Sequence, residues 1–90
     1  MTVVADARHR RALVVRLRRI EGQLRGIQAM IEAGEDCERV VQQISASRHA
    51  LDKAFFSVLA CALEAEPPGP RRTSAERRLR QAAELLARFG

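Results

Sequence analysis

The stretch Cys37–Ala65, CERVVQQISASRHALDKAFFSVLACALEA, decides the fold. Apolar or small side chains recur at Val40, Val41, Ile44, Ser47, Leu51, Ala54, Phe55, Val58, Leu59, Ala62 and Leu63, the three-and-four spacing of one helical face. No Gly or Pro interrupts the run. Asp36 stands where an N-cap belongs, and Pro67-Pro68 stop the helix at its other end. The spacing predicts one helix over 37–65, with both cysteines of the protein on it. At the helical rise, Cys37 and Cys61 lie roughly 36 Å apart along one axis, so they cannot meet within a chain. A second copy packed antiparallel would bring Cys37 of one subunit near Cys61 of the other. That arrangement is a symmetric dimer with two equivalent cysteine sites at its interface.

Upstream, a first helix is predicted over 7–33. Leu13, Leu17, Ile20, Leu24, Ile27 and Ile31 alternate steps of four and three, a heptad-like seam. Arg10, Arg11, Arg16, Arg18, Arg19 and Arg25 lie off that seam. Gly22 and Gly26 sit inside the helix at a four-residue step. Each costs about 1 kcal/mol relative to Ala, so they are read as positions where another helix approaches closely. Gly34 closes the helix, and residues 1–5 are expected to be loose. Downstream, 66–72 reads as a rigid Pro-rich linker. Thr73 then caps a third helix over 74–89, with Glu76 completing a capping box and Leu79, Ala82, Ala83, Leu86 and Phe89 forming its apolar stripe. No strand alternation or hairpin turn signal occurs.

Composition bounds the rest. Ninety residues make one domain, taken as 1–90, and a three-helix chain of this length has little interior of its own. Yet 47% of it is hydrophobic, so oligomerisation is expected, with an antiparallel four-helix bundle as the dimer core and the third helix across it. The charge is +5, from 16 Lys/Arg against 11 Asp/Glu, and the pI is about 10.9. Lys53 is the only lysine. An Arg-rich surface suits a phosphate-bearing partner, because each guanidinium fork can hold two oxygens. The first residues lack the apolar core of a signal peptide, and no run approaches a membrane span. A cytoplasmic protein with reduced thiols is therefore expected.

The words RLRRIEGQLRGI (Arg16 to Ile27), the Met-Ile-Glu run before Cys37, QQISA (Gln42 to Ala46) and ALDKA (Ala50 to Ala54) follow one another in register. Together, residues 16–54 resemble the copper-sensitive operon repressor family, which also includes nickel/cobalt, formaldehyde and persulfide sensors. The resemblance implies an all-α fold, a dimer built on an antiparallel four-helix bundle, and usually a dimer of dimers. It also implies a repressor without a helix-turn-helix that releases operator DNA when an inducer occupies a cysteine site. Arg16 and Lys53 match basic positions that the family links to operator binding. Arg19 and Arg48 join them by helical spacing alone. A broad basic face would neutralise phosphates and release counterions, and with few base-reading side chains in view, DNA shape would matter.

At the sensing site the chain departs from that pattern. Copper-sensing members pair a Cys at the position of Cys37 with a His and a Cys, four residues apart, on the partner subunit. In this register those two positions hold Ala62 and Glu66. Cys61 sits one residue earlier, about 100° around the helix. Three readings stay open. Cys37, Cys61 of the partner subunit and Glu66 could form a reshaped metal site, where two thiolates suit Cu(I) and the carboxylate a harder ion. The two thiols could form a switch for persulfides or other electrophiles, bridging the subunits. Or Cys61 could be a small core residue among Leu59, Ala60, Ala62 and Leu63. Cys37, at a helix N-terminus near Arg39, is the stronger sensing candidate. His9 lies in the region from which some family members recruit an additional ligand, and His49 reads as a solvated or interface residue.

An enzyme is not indicated: the sequence has no convergent Ser/His/Asp set, phosphate loop or paired carboxylates. The remaining readings are a DNA-binding repressor induced at Cys37, a thiol-based sensor, and a family member that binds DNA but has lost sensing.

Overall fold

Asp6 starts the first helix. Its carboxylate accepts the backbone N–H groups of Arg8 at 2.8 Å and His9 at 3.2 Å, two of the four donors a helix start leaves open. In the computed structural model α1 spans Ala7–Glu32, α2 spans Cys37–Glu64 and α3 spans Arg71–Phe89. The structure describes residues 3–64 and 71–90, with side chains for 3–63 and 75–90, and contains no strand among them. The chain is all-α with three helices.

Gly34 makes the turn between the two long helices. Its φ of 74° is the left-handed conformation that a side chain would strain. Its N–H donates to Ile31 O at 3.1 Å, and that of Glu35 donates to Met30 O at 3.0 Å. These two bonds satisfy carbonyls at the end of α1 and send the chain back antiparallel. Asp36 then caps α2, its Oδ2 accepting the N–H of Glu38 at 3.1 Å.

The heptad seam of α1 divides in two. Leu13, Ile20 and Ile27, seven residues apart, are 4–7% exposed and pack on α2. Leu17, Leu24 and Ile31, one step around the helix, remain 41–58% exposed. On α2, the facing row contains Ser47 and Ala54, both buried. These five are the only buried residues among those described, and the radius of gyration is 17.4 Å. A compact 90-residue chain would have about 12 Å. The hairpin is thus a thin sheet of two helices with an open apolar side. That side bears a groove of about 500 Å³ floored by Leu13, Leu17, Leu51, Ala54 and Val58, with Leu85 and Phe89 of α3 at its edge.

Several expectations need correction. Helix α3 starts at Arg71, two residues before Thr73, so Thr73 is helical and does not cap it. Arginine is a good helix former, and the turn signal at Thr73 is too weak to delay the start. Helix α3 packs on α2 alone, through the half-buried face of Arg77, Gln81, Ala82 and Leu85, while Leu79, Leu86 and Phe89 of the expected stripe stay exposed. Among the described residues a Cβ at Gly22 or Gly26 would meet nothing within 4 Å, so the close helix approach expected at these glycines is not made within the subunit. The residues just before α1 are held in place: both Nε and Nη2 of Arg10 donate to the carbonyl of Val4, at 3.0 and 2.7 Å. Glu66 and the Pro-rich segment 66–70 lie outside the described residues.

Candidate functional site

Between α1 and α2, on the side away from the apolar groove, lies a polar cleft of about 300 Å³. Arg16, Arg19, Ile20 and Gln23 line it from α1; Ala46, His49, Ala50 and Lys53 line it from α2. Ala46 and Ala50 keep the α2 wall low, and the four-residue step from His49 to Lys53 puts both on the same face. Its floor is tied across the helices by the Ser47 hydroxyl, which donates to Gln23 Oε1 at 3.1 Å. No carboxylate lines the cleft. Arg16, Arg19 and Lys53, three of the four sequence-predicted basic residues, therefore converge on one cleft. Arg48 is exposed on α2 but does not line the cleft. Gln23 and His49 were not among the residues expected to act here. A signal for Gln23 was present, since it follows Arg16 by seven residues and so shares its row.

The two cysteines occupy different rows of α2. Seven-residue steps place Cys37 with Ile44, Leu51 and Val58, all exposed. The same steps place Cys61 with Ser47 and Ala54, the row packed on α1. Cys61 is half-buried and shares a small pocket of about 40 Å³ with Val3, Val4, Val58 and Ala62. The segment that Arg10 pins thus forms one wall of the pocket beside Cys61. Arg39, near Cys37, is engaged with Glu35 at 3.2 Å. His9 is half-buried, and its Nε2 makes no hydrogen bond among the described residues. No three His, Cys, Asp or Glu side chains come together among those residues, so one subunit does not assemble a metal centre from them.

The metal-sensitive transcriptional repressor family matches the chain over residues 9–88. The chain belongs to that family. Its members are repressors, not enzymes, and the all-α hairpin with its basic cleft is the scaffold on which this member carries its cysteines. Among curated proteins, it is 50% identical over 44 residues to the copper-sensing transcriptional repressor RicR of Mycobacterium tuberculosis, covering 49% of this chain and 46% of that one. It is 38% identical over 52 residues to an uncharacterized protein in the bioA 5' region of Serratia marcescens, covering 58% of this chain and 57% of the relative. These matches span about half the length of each relative. No solved structure is a significant match. No helix among the described residues of this metal-sensitive repressor is long and apolar enough to cross a membrane.

Proposed function

We propose that residues 1–90 act as one helical repressor domain that binds operator DNA through the basic cleft and loses affinity when an inducer engages Cys37 at a subunit interface. The observation that carries the DNA half is the convergence of Arg16, Arg19 and Lys53 in a cleft with no carboxylate. Arg48 adds charge outside it. Fixed cations facing one way neutralise several phosphates together and make binding steeply salt-dependent.

The interface half rests on the exposed row of α2. Cys37, Ile44, Leu51 and Val58 continue to position 65, and the row is symmetric about Leu51. Antiparallel pairing about that residue sets Leu51 against its own copy and Ile44 against Val58, and carries Cys37 to the C-terminal end of the partner's α2. It covers the apolar groove and makes Cys37 interfacial. A dimer of dimers would follow if a second apolar face, such as Leu79 and Leu86 of α3, is also covered. A soft ion such as Cu(I) suits the Cys37 thiolate, with Glu66 and Cys61 of the partner subunit as further donors. The second reading is a thiol sensor in which a persulfide or other electrophile reacts at Cys37 and Cys61 of the partner subunit resolves it into a bridge between the subunits; the exposure of Cys37 supports the attack step.

Native and intact mass spectrometry of the wild type and of Cys37→Ala, after Cu(I) and separately after a persulfide donor, tests the sensing half. One copper per subunit, absent from Cys37→Ala, supports the metal reading. A sulfur adduct or covalent dimer, absent from the variant, supports the thiol reading. No change in either arm overturns induction at Cys37 and leaves a DNA-binding member without sensing. For the DNA half, Arg16→Ala should weaken duplex binding without changing the oligomer, and unchanged binding removes Arg16 from the interface.

A further inference from the structure

Helix α2 carries three fixed cations. Arg39 is held by Glu35, and Lys53 lines the basic cleft. Arg48 does neither. It is exposed, stands outside the cleft, and makes no hydrogen bond or ion pair among the described residues. Asp52, one turn on, is equally alone, and it lines a groove of about 320 Å³ with Leu51, Phe55, Phe56 and Phe89. Phe55 and Phe56 meet edge to face there, with ring centres 5.1 Å apart. Aromatic rings beside one carboxylate, with no cation among the lining residues, suit a guanidinium, which pairs with the acid and lies on the rings. Arg48 does not enter this groove from its own helix. Arg ahead of Asp at a four-residue step is the poorer order for an ion pair along one helix, and that pair is not made.

We infer that Arg48 of each subunit docks in this groove on a second copy of the chain, pairing with Asp52 of the partner subunit twice per dimer. The inference deepens the antiparallel dimer proposed above and rests on it. Pairing about Leu51 brings a residue three before it level with a residue three after it. Arg48 is then about 3 Å along the axis from Asp52 of the partner subunit, and about 1.5 Å from Phe55 of the partner subunit. Around α2, Phe55, Arg48 and Asp52 stand about 40°, 60° and 100° to one side of Leu51. Ser47 and Ala54, the buried row packed on α1, stand to the other side. A twofold axis between antiparallel helices sets that free side beside its own copy, so cation and carboxylate share one edge of the interface. The long arginine stem covers the remaining gap over the apolar ring. The pair also marks the register, which apolar contacts alone leave loose. A slip of one heptad, pairing Ile44 with Leu51, brings the two Arg48 side chains level with each other instead. The ion pair thereby selects the register that carries Cys37 to the end of the partner's α2.

The test is self-association of the full chain under reducing conditions at fixed ionic strength, read by sedimentation of fluorescently labelled protein from nanomolar to micromolar concentration. Arg48→Glu sets a carboxylate against Asp52 of the partner subunit and should raise the dissociation constant about tenfold, and Asp52→Arg should do the same with the opposite sign. Arg48→Glu also lowers the formal charge of +5 by two, so general repulsion alone would tighten the dimer, and a loss reports the local contact. An equimolar mixture of the two variants should associate with near wild-type affinity, because each mixed dimer regains both opposite-charge pairs. A pair made along one helix is not regained by mixing. Single variants that dimerise like the wild type, or a mixture no tighter than they are, overturn the proposal and leave the Leu51 interface in place. A wild type that is monomeric at micromolar concentration overturns that interface and the proposal together. Should either reversed chain lose its helical circular dichroism, Arg48→Gln and Asp52→Asn carry the same test. Each should weaken the dimer about threefold, and the double variant should lose no more than either alone. Additive losses would overturn the pair.

Discussion

The Ser47 hydroxyl donates to Gln23 Oε1 at 3.1 Å, a cross-helix bond to a residue that lines the basic cleft. Ser47 is only 5% exposed, while Gln23 is exposed. The pair is asymmetric in what its loss does. In Ser47→Ala, Gln23 regains water, so no polar group is stranded. The lost bond is worth about 0.5–1.5 kcal/mol, and the better helix propensity of Ala offsets a few tenths of it. Guanidinium unfolding at fixed protein concentration should show a net loss of no more than about 1 kcal/mol for Ser47→Ala. Ser47→Leu, which forces bulk between two close helices, should lose about 1–3 kcal/mol. Equal stability for the two variants would mean that the helices separate easily at this level.

Gly22 and Gly26 lie in the interior of α1 with nothing near the position of a Cβ. Alanine at either site should therefore stabilise the protein by up to about 1 kcal/mol, by helix propensity and by restricting the unfolded chain. Thermal unfolding checks this directly. A drop in melting temperature at either position, or loss of the oligomer or of duplex binding in a folded variant, would show that a partner chain or DNA backbone comes close there.

Much of this architecture was readable in the sequence because its signals are local. The unbroken pattern from Cys37, the Asp36 cap and the Gly34 turn all act within a few residues, and the helices end within a residue or two of where those signals place them. What escaped depends on which helix meets which. The seam Leu13–Ile31 is one pattern in sequence but two rows in space, because a single neighbour covers only half of it. Of the α3 stripe only Ala82 lies on the Arg77–Leu85 face that meets α2 within the subunit, and periodicity alone does not reveal that choice. The site divides in the same way. Arg16, Arg19 and Lys53 were legible as charges. Gln23 and His49 were not, since their place depends on the antiparallel register of α1 against α2.

Arg10 holds the chain before α1 by two bonds to one carbonyl, that of Val4, and Val3 and Val4 line a small pocket together with Cys61. Arg10→Ala should release this segment and expose the thiol. N-ethylmaleimide labelling followed by peptide mass analysis should show Cys61 reacting several-fold faster in the variant, relative to the exposed Cys37 as internal reference. Arg10→Lys should fall between, since an ammonium keeps the charge without the two-pronged geometry. The two cysteines should react alike in both proteins once denatured. An unchanged ratio in the native variant would mean that packing on α1 alone shields Cys61.

Leu51 is half-exposed in the isolated subunit although it stands at the centre of the row Cys37, Ile44, Leu51, Val58. In a dimer paired antiparallel about that row, two copies of Leu51 meet on the symmetry axis. Leu51→Glu removes two buried side chains and sets two like charges opposite each other, but leaves the α1–α2 contact of each subunit untouched. Each Leu51 is already half-covered in its own subunit, so the lost burial is roughly 1.5–3 kcal/mol per dimer, which raises the dissociation constant by about ten- to hundredfold before the charge repulsion is added. Sedimentation should find a smaller species that retains its helical circular dichroism, and duplex binding should fall with it because the basic clefts of two subunits no longer act together. Leu79→Glu, on the exposed face of α3, should leave the dimer intact and can disturb only a higher assembly. A Leu51→Glu protein that remains dimeric at micromolar concentration would place the subunit interface elsewhere, and would remove Cys37 from it.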